Sequence, residues 1–126
     1  MKITTFNPMI LSPKAEDVIK LFEDLGFEKT HAPIVETGKS QIRSTRMKNA
    51  DGFHIDIADV KSMPQDMTII RMNVDDFDEA YDMLEKKGFT HPGGKRAVET
   101  ESNKSALMTS PSGFAFDLCQ HIKEHD

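Results

Sequence analysis

The sequence predicts an α+β protein made of two copies of one β-α-β-β-β module. Three features of the 126-residue chain carry this prediction: its length, two helical segments that both end in Gly-Phe, and two strands with a shared pattern. A chain of this length suits one compact domain and is short for two ordinary domains. We therefore expect a single domain over residues 1–126, with modules at 1–60 and 66–126 and a linker at 61–65.

Two amphipathic helices form the first matching pair. Pro13 to Leu25 places apolar residues at helical spacing, with Ser12 as the N-cap and Gly26 as the stop. Asp76 to Lys87 repeats this plan, with a capping-box pattern at its start and Gly88 as its stop. The two stops are 88 − 26 = 62 residues apart.

A second match lies near the end of each half. Gly52 to Ala58 and Gly113 to Cys119 share the pattern Gly-Phe-x-apolar-Asp-apolar-small, with an offset of 113 − 52 = 61 residues. Two independent matches at nearly one offset indicate an internal repeat. The expected strands are 3–11, 28–36, 41–48 and 53–60 in the first half, and 67–74, 96–101, 105–109 and 114–122 in the second.

Composition and charge exclude several classes of function. The net charge is −5, with 21 acidic and 16 basic residues, so we expect no nucleic-acid partner. The basic run Arg43, Arg46 and Lys48 is interpreted as a solvated strand face. No apolar stretch is long enough to cross a bilayer, and no secretory signal pattern follows Met1. With its single cysteine, Cys119, the sequence favours a cytoplasmic protein without a membrane partner.

The paired modules resemble the vicinal oxygen chelate superfamily, which includes glyoxalase I, extradiol dioxygenases, fosfomycin-resistance proteins and bleomycin-resistance proteins. Asn73 to Ala80 resembles that family's passage from strand to helix. Ser110 to Leu118 resembles its Asp-Pro-x-Gly-x-x-x-Glu-Leu ending. The resemblance covers essentially the whole chain, and it implies curved mixed sheets around a ligand cavity and assembly as a homodimer.

The resemblance also implies four inward-facing metal-ligand positions, usually two histidines and two glutamates. The histidine positions fall on Phe6 and Ile69, and the glutamate positions fall on Asp56 and Asp117. Two carboxylates are too few donors for a transition metal, so we expect no cofactor and no metal at this site. A divalent metal at a relocated site made by Asp56, Asp117 and His54 remains an alternative.

Alternation along the strands predicts the cavity lining, because residues two apart share a face. His54 and Asp56 share one face of their strand, as Asp117 and Cys119 do of theirs. The face expected to meet the helices holds Ile70, Met72 and Val74. The cavity face of the first strand is assigned Phe6, Pro8 and Ile10. The expected ligand-binding residues are Phe6, His54, Asp56, Ile69, Arg71, Asn73, Asp117 and Cys119.

Three functions remain open at this point. The first is metal-independent sequestration or carriage of a small organic molecule, with Arg71 either pairing with the carboxylates or anchoring an anionic ligand. The second is a metal-dependent glyoxalase-like lyase or isomerase, for which no catalytic residue can be assigned. The third is an interaction subunit whose cavity is filled by Phe6, Phe53 and Phe114.

Overall fold

The computed structural model describes residues 1–31, 34–37, 40–91, 98–99 and 103–121. These residues form two helices, α1 (Ala15–Asp24) and α2 (Phe77–Lys86). They also form nine strands: β1 (Ile3–Ser12), β2 (Glu28–His31), β3 (Ile34–Thr37), β4 (Ser40–Lys48), β5 (His54–Asp59), β6 (Met67–Val74), β7 (Val98–Glu99), β8 (Asn103–Thr109) and β9 (Ala115–His121). Within the described ranges, no helix is both long and apolar enough to cross a membrane.

The chain divides into two compact units. The first unit is Asn7–Thr68, and the second is Met1–Phe6 together with Ile69–Asp126. Strand β1 therefore contributes its first residues to the second unit and its remaining residues to the first. The unit boundary falls inside this strand, whereas the sequence places the whole of it in the first module.

In the first unit the strand order is β2-β4-β5-β1, and β3 pairs with β4. The sheet is mixed, because β1 runs parallel to β5 while β4 runs antiparallel to it. One face packs against α1 around a buried cluster of Ala15, Met47, Ile55 and Ile57. The partly buried side chains of Ile10, Val18, Ile19, Phe22 and Phe27 complete this core. Among the described residues of this unit, no helix packs on the other face of the sheet.

In the second unit, residues Ile3–Phe6 of β1 begin a sheet with the order β1-β6-β9-β8-β7. Here β6 runs parallel to β9, and β8 runs antiparallel to β9. The core beneath α2 consists of Met72, Val74, Phe77, Ala80, Tyr81, Leu84, Ala106, Met108 and Leu118. The second unit therefore has one helix on one face of a mixed sheet.

The helix boundaries follow from local hydrogen bonds. Helix α2 begins as expected, since the Asp76 side chain accepts a hydrogen bond from the Glu79 amide at 3.0 Å. The prediction for α1 was wrong at its start, because Ser12 belongs to β1 and its hydroxyl accepts from the Lys14 amide at 3.0 Å. That bond stabilises a turn before the helix, and α1 itself has no side-chain cap.

Candidate functional site

The faces of β5 follow from the position of α1. Ile55 and Ile57 lie in the core beneath α1, so His54, Asp56 and Ala58 occupy the opposite, helix-free face. This confirms the predicted pairing of His54 and Asp56 on one face. The side chain of His54 is exposed, whereas Asp56 is completely buried.

The predicted face of β1 was wrong by one residue. Ile10 packs against the α1 core instead of facing away from it, so Asn7 and Met9 lie on the face of Asp56. The register agrees, because Met9 is the partner of Asp56 in the parallel pair. Strand β1 ends at Ser12, one residue beyond the predicted Leu11, and counting back from Leu11 therefore selected Phe6 instead of Asn7.

Asp56 is held by side chains from two neighbouring strands. The Asn7 side-chain amide donates a hydrogen bond to Asp56 Oδ2 at 2.7 Å. On the other side, Arg46 of β4 is the register partner of Asp56, and its Nε lies 3.4 Å from Asp56 Oδ1. The Arg46 side chain is 27% exposed and that of Asp56 is 1% exposed. A buried carboxylate needs such partners, because an unpaired buried charge is costly.

This cluster of Asn7, Arg46 and Asp56, which we call the Asp56 cluster, keeps unused hydrogen-bonding groups. Asn7 Oδ1 is buried and accepts no hydrogen bond from the described residues. Arg46 Nε and Nη2 are likewise buried and donate none to them. Two donors and one acceptor are therefore left in a place where each would ordinarily be satisfied.

The second unit places four of the predicted residues together. Arg71 of β6 is the register partner of Asp117 of β9, and Asn73 is the partner of Cys119. Arg71 Nε donates to Asn73 Oδ1 at 3.3 Å, and the Cys119 thiol lies 3.4 Å from Asp117 Oδ1. All four lie on the helix-free face, because the alternate residues Met72 and Leu118 are in the core beneath α2. The predicted faces of these two strands are confirmed.

The two units use different strands to bring arginine to aspartate. In the two parallel pairs, Met9 lies opposite Asp56 and Arg71 lies opposite Asp117. The corresponding positions are 71 − 9 = 62 and 117 − 56 = 61 residues apart along the chain. In the first unit Asp56 has Met9 on one side and Arg46 on the other; in the second, Asp117 has Arg71 and Leu107. In the first unit the arginine comes from the antiparallel neighbour β4, whereas in the second unit it comes from the parallel neighbour β6.

The remaining expected residues have different environments. Ile69 is 3% exposed and shares the face of Arg71, whereas Phe6 is 61% exposed. Phe53 and Phe114 are also exposed, at 66% and 50%. These three aromatic side chains are therefore exposed. An interaction subunit with a filled cavity, the third function considered from the sequence, would require them to be buried.

The described residues do not fit the metal centre that the resemblance implies. No group of three or more histidine, cysteine, aspartate or glutamate side chains converges among them. Both oxygens of Asp56 already have partners in Asn7 and Arg46. At the two histidine positions of the observed register stand Asn7 and Ile69, and neither supplies an imidazole.

Sequence reasoning missed Asn7 and Arg46. Arg46 was assigned to a solvated basic run, yet of that run Arg43 and Lys48 are exposed while Arg46 is mostly buried. A signal was present in the hairpin that joins β4 and β5. Lys48 pairs with His54, so each step back along β4 matches one step forward along β5, and Arg46 meets Asp56.

Comparison with known proteins identifies the fold. No protein-family model matches the chain, and no curated protein matches it in sequence. Methylmalonyl-CoA epimerase from Mycobacterium tuberculosis is similar in structure, with a TM-score of 0.69 and 14% identity over 96% of this chain and 90% of that one. A glyoxalase I mutant from Zea mays gives a TM-score of 0.68 and 12% identity over 98% of this chain and 45% of the maize chain.

A third similar structure is a glyoxalase/bleomycin resistance protein/dioxygenase superfamily member from Vibrio splendidus 12B01. It gives a TM-score of 0.61 and 16% identity over 94% of this chain and 99% of that one. At such identities the likeness concerns the fold, and it agrees with the two helices, the mixed sheets and the element order described above. The chain therefore has the fold of the vicinal oxygen chelate superfamily, in its glyoxalase/bleomycin-resistance-like form.

Proposed function

We propose that this protein binds a small organic molecule without a metal ion, for sequestration or carriage, and that the Asp56 cluster is its polar anchor. The observation that carries the proposal is the set of buried, unused hydrogen-bonding atoms on Asn7 and Arg46. These atoms lie on the sheet face of the first unit that α1 leaves uncovered. We propose that this face lines a ligand cavity.

The energetic argument rests on the cost of burying polar atoms. Each unsatisfied buried donor or acceptor costs about 1–3 kcal/mol. The cluster has three such atoms, and a ligand that bonds to them recovers part of that cost on binding. The nearby Met9 and Ala58 are buried and apolar, and they supply the nonpolar wall that small-molecule sites ordinarily have.

We propose further ligand contacts on the helix-free face of the second unit. They are Ile69, Arg71, Asn73, Asp117 and Cys119, which combine one apolar wall with a charged pair and two hydrogen-bonding groups. In the first unit we propose His54, which is exposed on the face of Asp56, as the remaining contact. Phe6 is left out, because it lies on the face of β1 opposite to Asn7. Arg71 lies beside Asp117 in register, which favours neutral or anionic ligands over cationic ones.

Two features of the similar structures support a small-molecule role. By their names, one acts on methylmalonyl-CoA and another is a glyoxalase, so this fold is used for reactions of small molecules. We propose binding instead of metal catalysis for this chain because its described residues lack the donors for a metal centre. Following the resemblance, we also propose a homodimer, in a reducing cytoplasm that suits the buried free thiol of Cys119.

Native mass spectrometry of freshly purified protein tests this proposal. We expect a retained organic mass, no stoichiometric metal, and twice the subunit mass. Arg46→Met should reduce the retained ligand, whereas Arg43→Met, a matched change at an exposed position of the same strand, should not. Stoichiometric metal that a chelator removes together with an enzymatic activity would contradict the proposal.

A further inference from the structure

The orientation of the Asn7 amide is fixed by its own hydrogen bonds. Its Nδ2 donates to Asp56 Oδ2 at 2.7 Å and to the Pro8 carbonyl at 2.9 Å, which uses both amide hydrogens. If the amide nitrogen and oxygen of Asn7 were exchanged, its oxygen would face both Asp56 Oδ2 and the Pro8 carbonyl, and each contact would join two acceptors. Asn7 Oδ1 is therefore the atom left over, and it can only accept a hydrogen bond.

Arg46 presents a complementary group. Its unused atoms, Nε and Nη2, lie on one edge of the planar guanidinium and direct two N–H groups in parallel. Asp56 Oδ1 compensates the charge from 3.4 Å but accepts no aligned hydrogen bond from this edge. The edge can therefore donate to an oxygen of a ligand while Asp56 continues to balance the charge.

Asn7 and Arg46 contact different oxygens of the same carboxylate: Asn7 Nδ2 lies 2.7 Å from Asp56 Oδ2, and Arg46 Nε lies 3.4 Å from Asp56 Oδ1. We infer that one ligand reaches the unused atoms of both side chains. Together they offer an acceptor on one side and donors on the other. The complementary ligand edge carries an N–H or O–H donor beside a carbonyl acceptor.

The charge of the ligand follows from the charge of the cluster. Arg46 and Asp56 carry opposite charges, so the cluster is neutral. A ligand carboxylate would be attracted by Arg46 and repelled by Asp56, so the repulsion offsets part of the attraction. Its loss of hydration on burial would then be compensated only in part. A neutral carbonyl avoids that cost and still accepts from Arg46.

We propose that the Asp56 cluster recognises a neutral ligand through a carbonyl next to an N–H, the edge found in lactams, imides and ureas. The carbonyl accepts from Arg46 Nε and Nη2, and the N–H donates to Asn7 Oδ1. This inference rests on the proposed binding function and specifies its ligand class. It assigns recognition to Asn7 and Arg46, neither of which was expected from the sequence to contact ligand.

Three matched probes test the inference by NMR titration of the labelled protein. Succinimide has the full edge, N-methylsuccinimide lacks the donor, and succinate replaces the neutral edge by carboxylates. We expect fragments of this size to bind on the order of millimolar, an affinity that NMR titration detects. We expect N-methylsuccinimide to bind at least about fivefold more weakly than succinimide, because Asn7 Oδ1 would stay unsatisfied. Succinate should be weaker still.

Variants then locate the interaction. Arg46→Lys keeps the positive charge beside Asp56 but loses the two-donor edge, so succinimide should bind at least about fivefold more weakly. Arg43→Met, at an exposed position of β4, should bind succinimide as the unaltered protein does. The comparison of probes on the unaltered protein stands even if a variant does not fold.

The outcomes separate this inference from the function on which it rests. Equal binding of succinimide and its N-methyl derivative, or tighter binding of succinate, overturns the ligand class. If the purified protein nevertheless retains an organic molecule that Arg46→Met releases, the proposed function stands without this ligand class. If no molecule is retained and no probe binds, both are overturned.

Discussion

The Asp56 cluster makes a strong prediction about stability. In Asp56→Ala, Asn7 Nδ2 loses its 2.7 Å acceptor and Arg46 loses its counter-charge at 3.4 Å. The substitution therefore leaves a buried amide donor and a largely buried guanidinium without compensation. We expect the folded state to lose a large part of its stability relative to the unfolded state, in which water solvates all of these groups.

The magnitude can be worked from the two losses. An unsatisfied buried amide costs about 1–3 kcal/mol. Breaking a fully buried ion pair costs about 3–5 kcal/mol, but Arg46 is 27% exposed and water can solvate part of it, so we take less than half of that figure. We therefore expect Asp56→Ala to lower the free energy of unfolding by about 3 kcal/mol.

Urea denaturation followed by circular dichroism measures this loss. With a slope of about 1.5 kcal/mol per molar urea, the midpoint should fall by about 2 M. The control Asp51→Ala removes a carboxylate from an exposed turn and should change the free energy of unfolding by less than about 0.5 kcal/mol. Adding Arg46→Met to Asp56→Ala should restore about 1 kcal/mol, because the uncompensated charge is gone.

Two results would refute this reasoning. If Asp56→Ala and Asp51→Ala had the same effect, Asp56 would not be held by buried partners. If the double substitution were less stable than Asp56→Ala alone, the stranded charge of Arg46 would not be the source of the loss.

Three further predictions concern the framework that positions the helix-free faces. Phe77→Ala should cost about 3–5 kcal/mol because Phe77 is completely buried, whereas Phe53→Ala, at a side chain 66% exposed, should cost less than about 0.5 kcal/mol. Gln120→Met should cost about 2 kcal/mol, because its amide accepts from the Phe77 backbone N–H at 2.7 Å and donates to the Asp75 carbonyl at 2.8 Å. Gly88→Ala should cost more than Gly26→Ala: both have positive φ, at 96° and 100°, but an added Cβ at Gly88 meets Pro111 Cγ at 2.9 Å while nothing lies within 4 Å at Gly26.

All three are measured by urea denaturation against the unaltered protein. A small loss for Phe77→Ala would contradict the packing of α2. An unchanged stability of Gln120→Met would mean that water replaces its two bonds without cost. Equal losses at Gly88 and Gly26 would show that the Pro111 ring yields easily to the added carbon.

The faces of the second unit could be predicted because its strands alternate clearly. Met72 and Val74 are apolar, and Arg71 and Asn73 between them are polar, so period two fixes which residues meet α2. The same reasoning applies to β9, where Leu118 separates Asp117 from Cys119. In both strands the pattern of residue types and the observed core agree.

The face of β1 could not be fixed in this way. Residues 8–11 read Pro-Met-Ile-Leu, so both faces are apolar there and alternation carries no information. The face then depended on where the strand ends, and an error of one residue inverts every side chain. The observed pairing of Met9 with Asp56 supplies the missing register and brings Asn7 into the cluster.

Arg46 was missed for a different reason. A charged residue on a strand looks the same in sequence whether water or a carboxylate compensates it, and solvation is the commoner case. Its partner Asp56 lies ten positions along the chain (56 − 46 = 10), across a turn whose register had to be known before the pair could be seen. Pairing across the hairpin of β4 and β5, not residue type, decides the role of this arginine.

The side-chain Nε–H resonance of Arg46 gives the most direct test that the Asp56 cluster binds ligand. It can be assigned by comparison with Arg46→Lys and followed in a ¹⁵N-labelled sample as succinimide is added. We expect this resonance to shift in a saturable way while the Nε–H resonance of Arg43 stays in place. A saturable shift of backbone resonances elsewhere, with the Arg46 signal unmoved, would contradict the account.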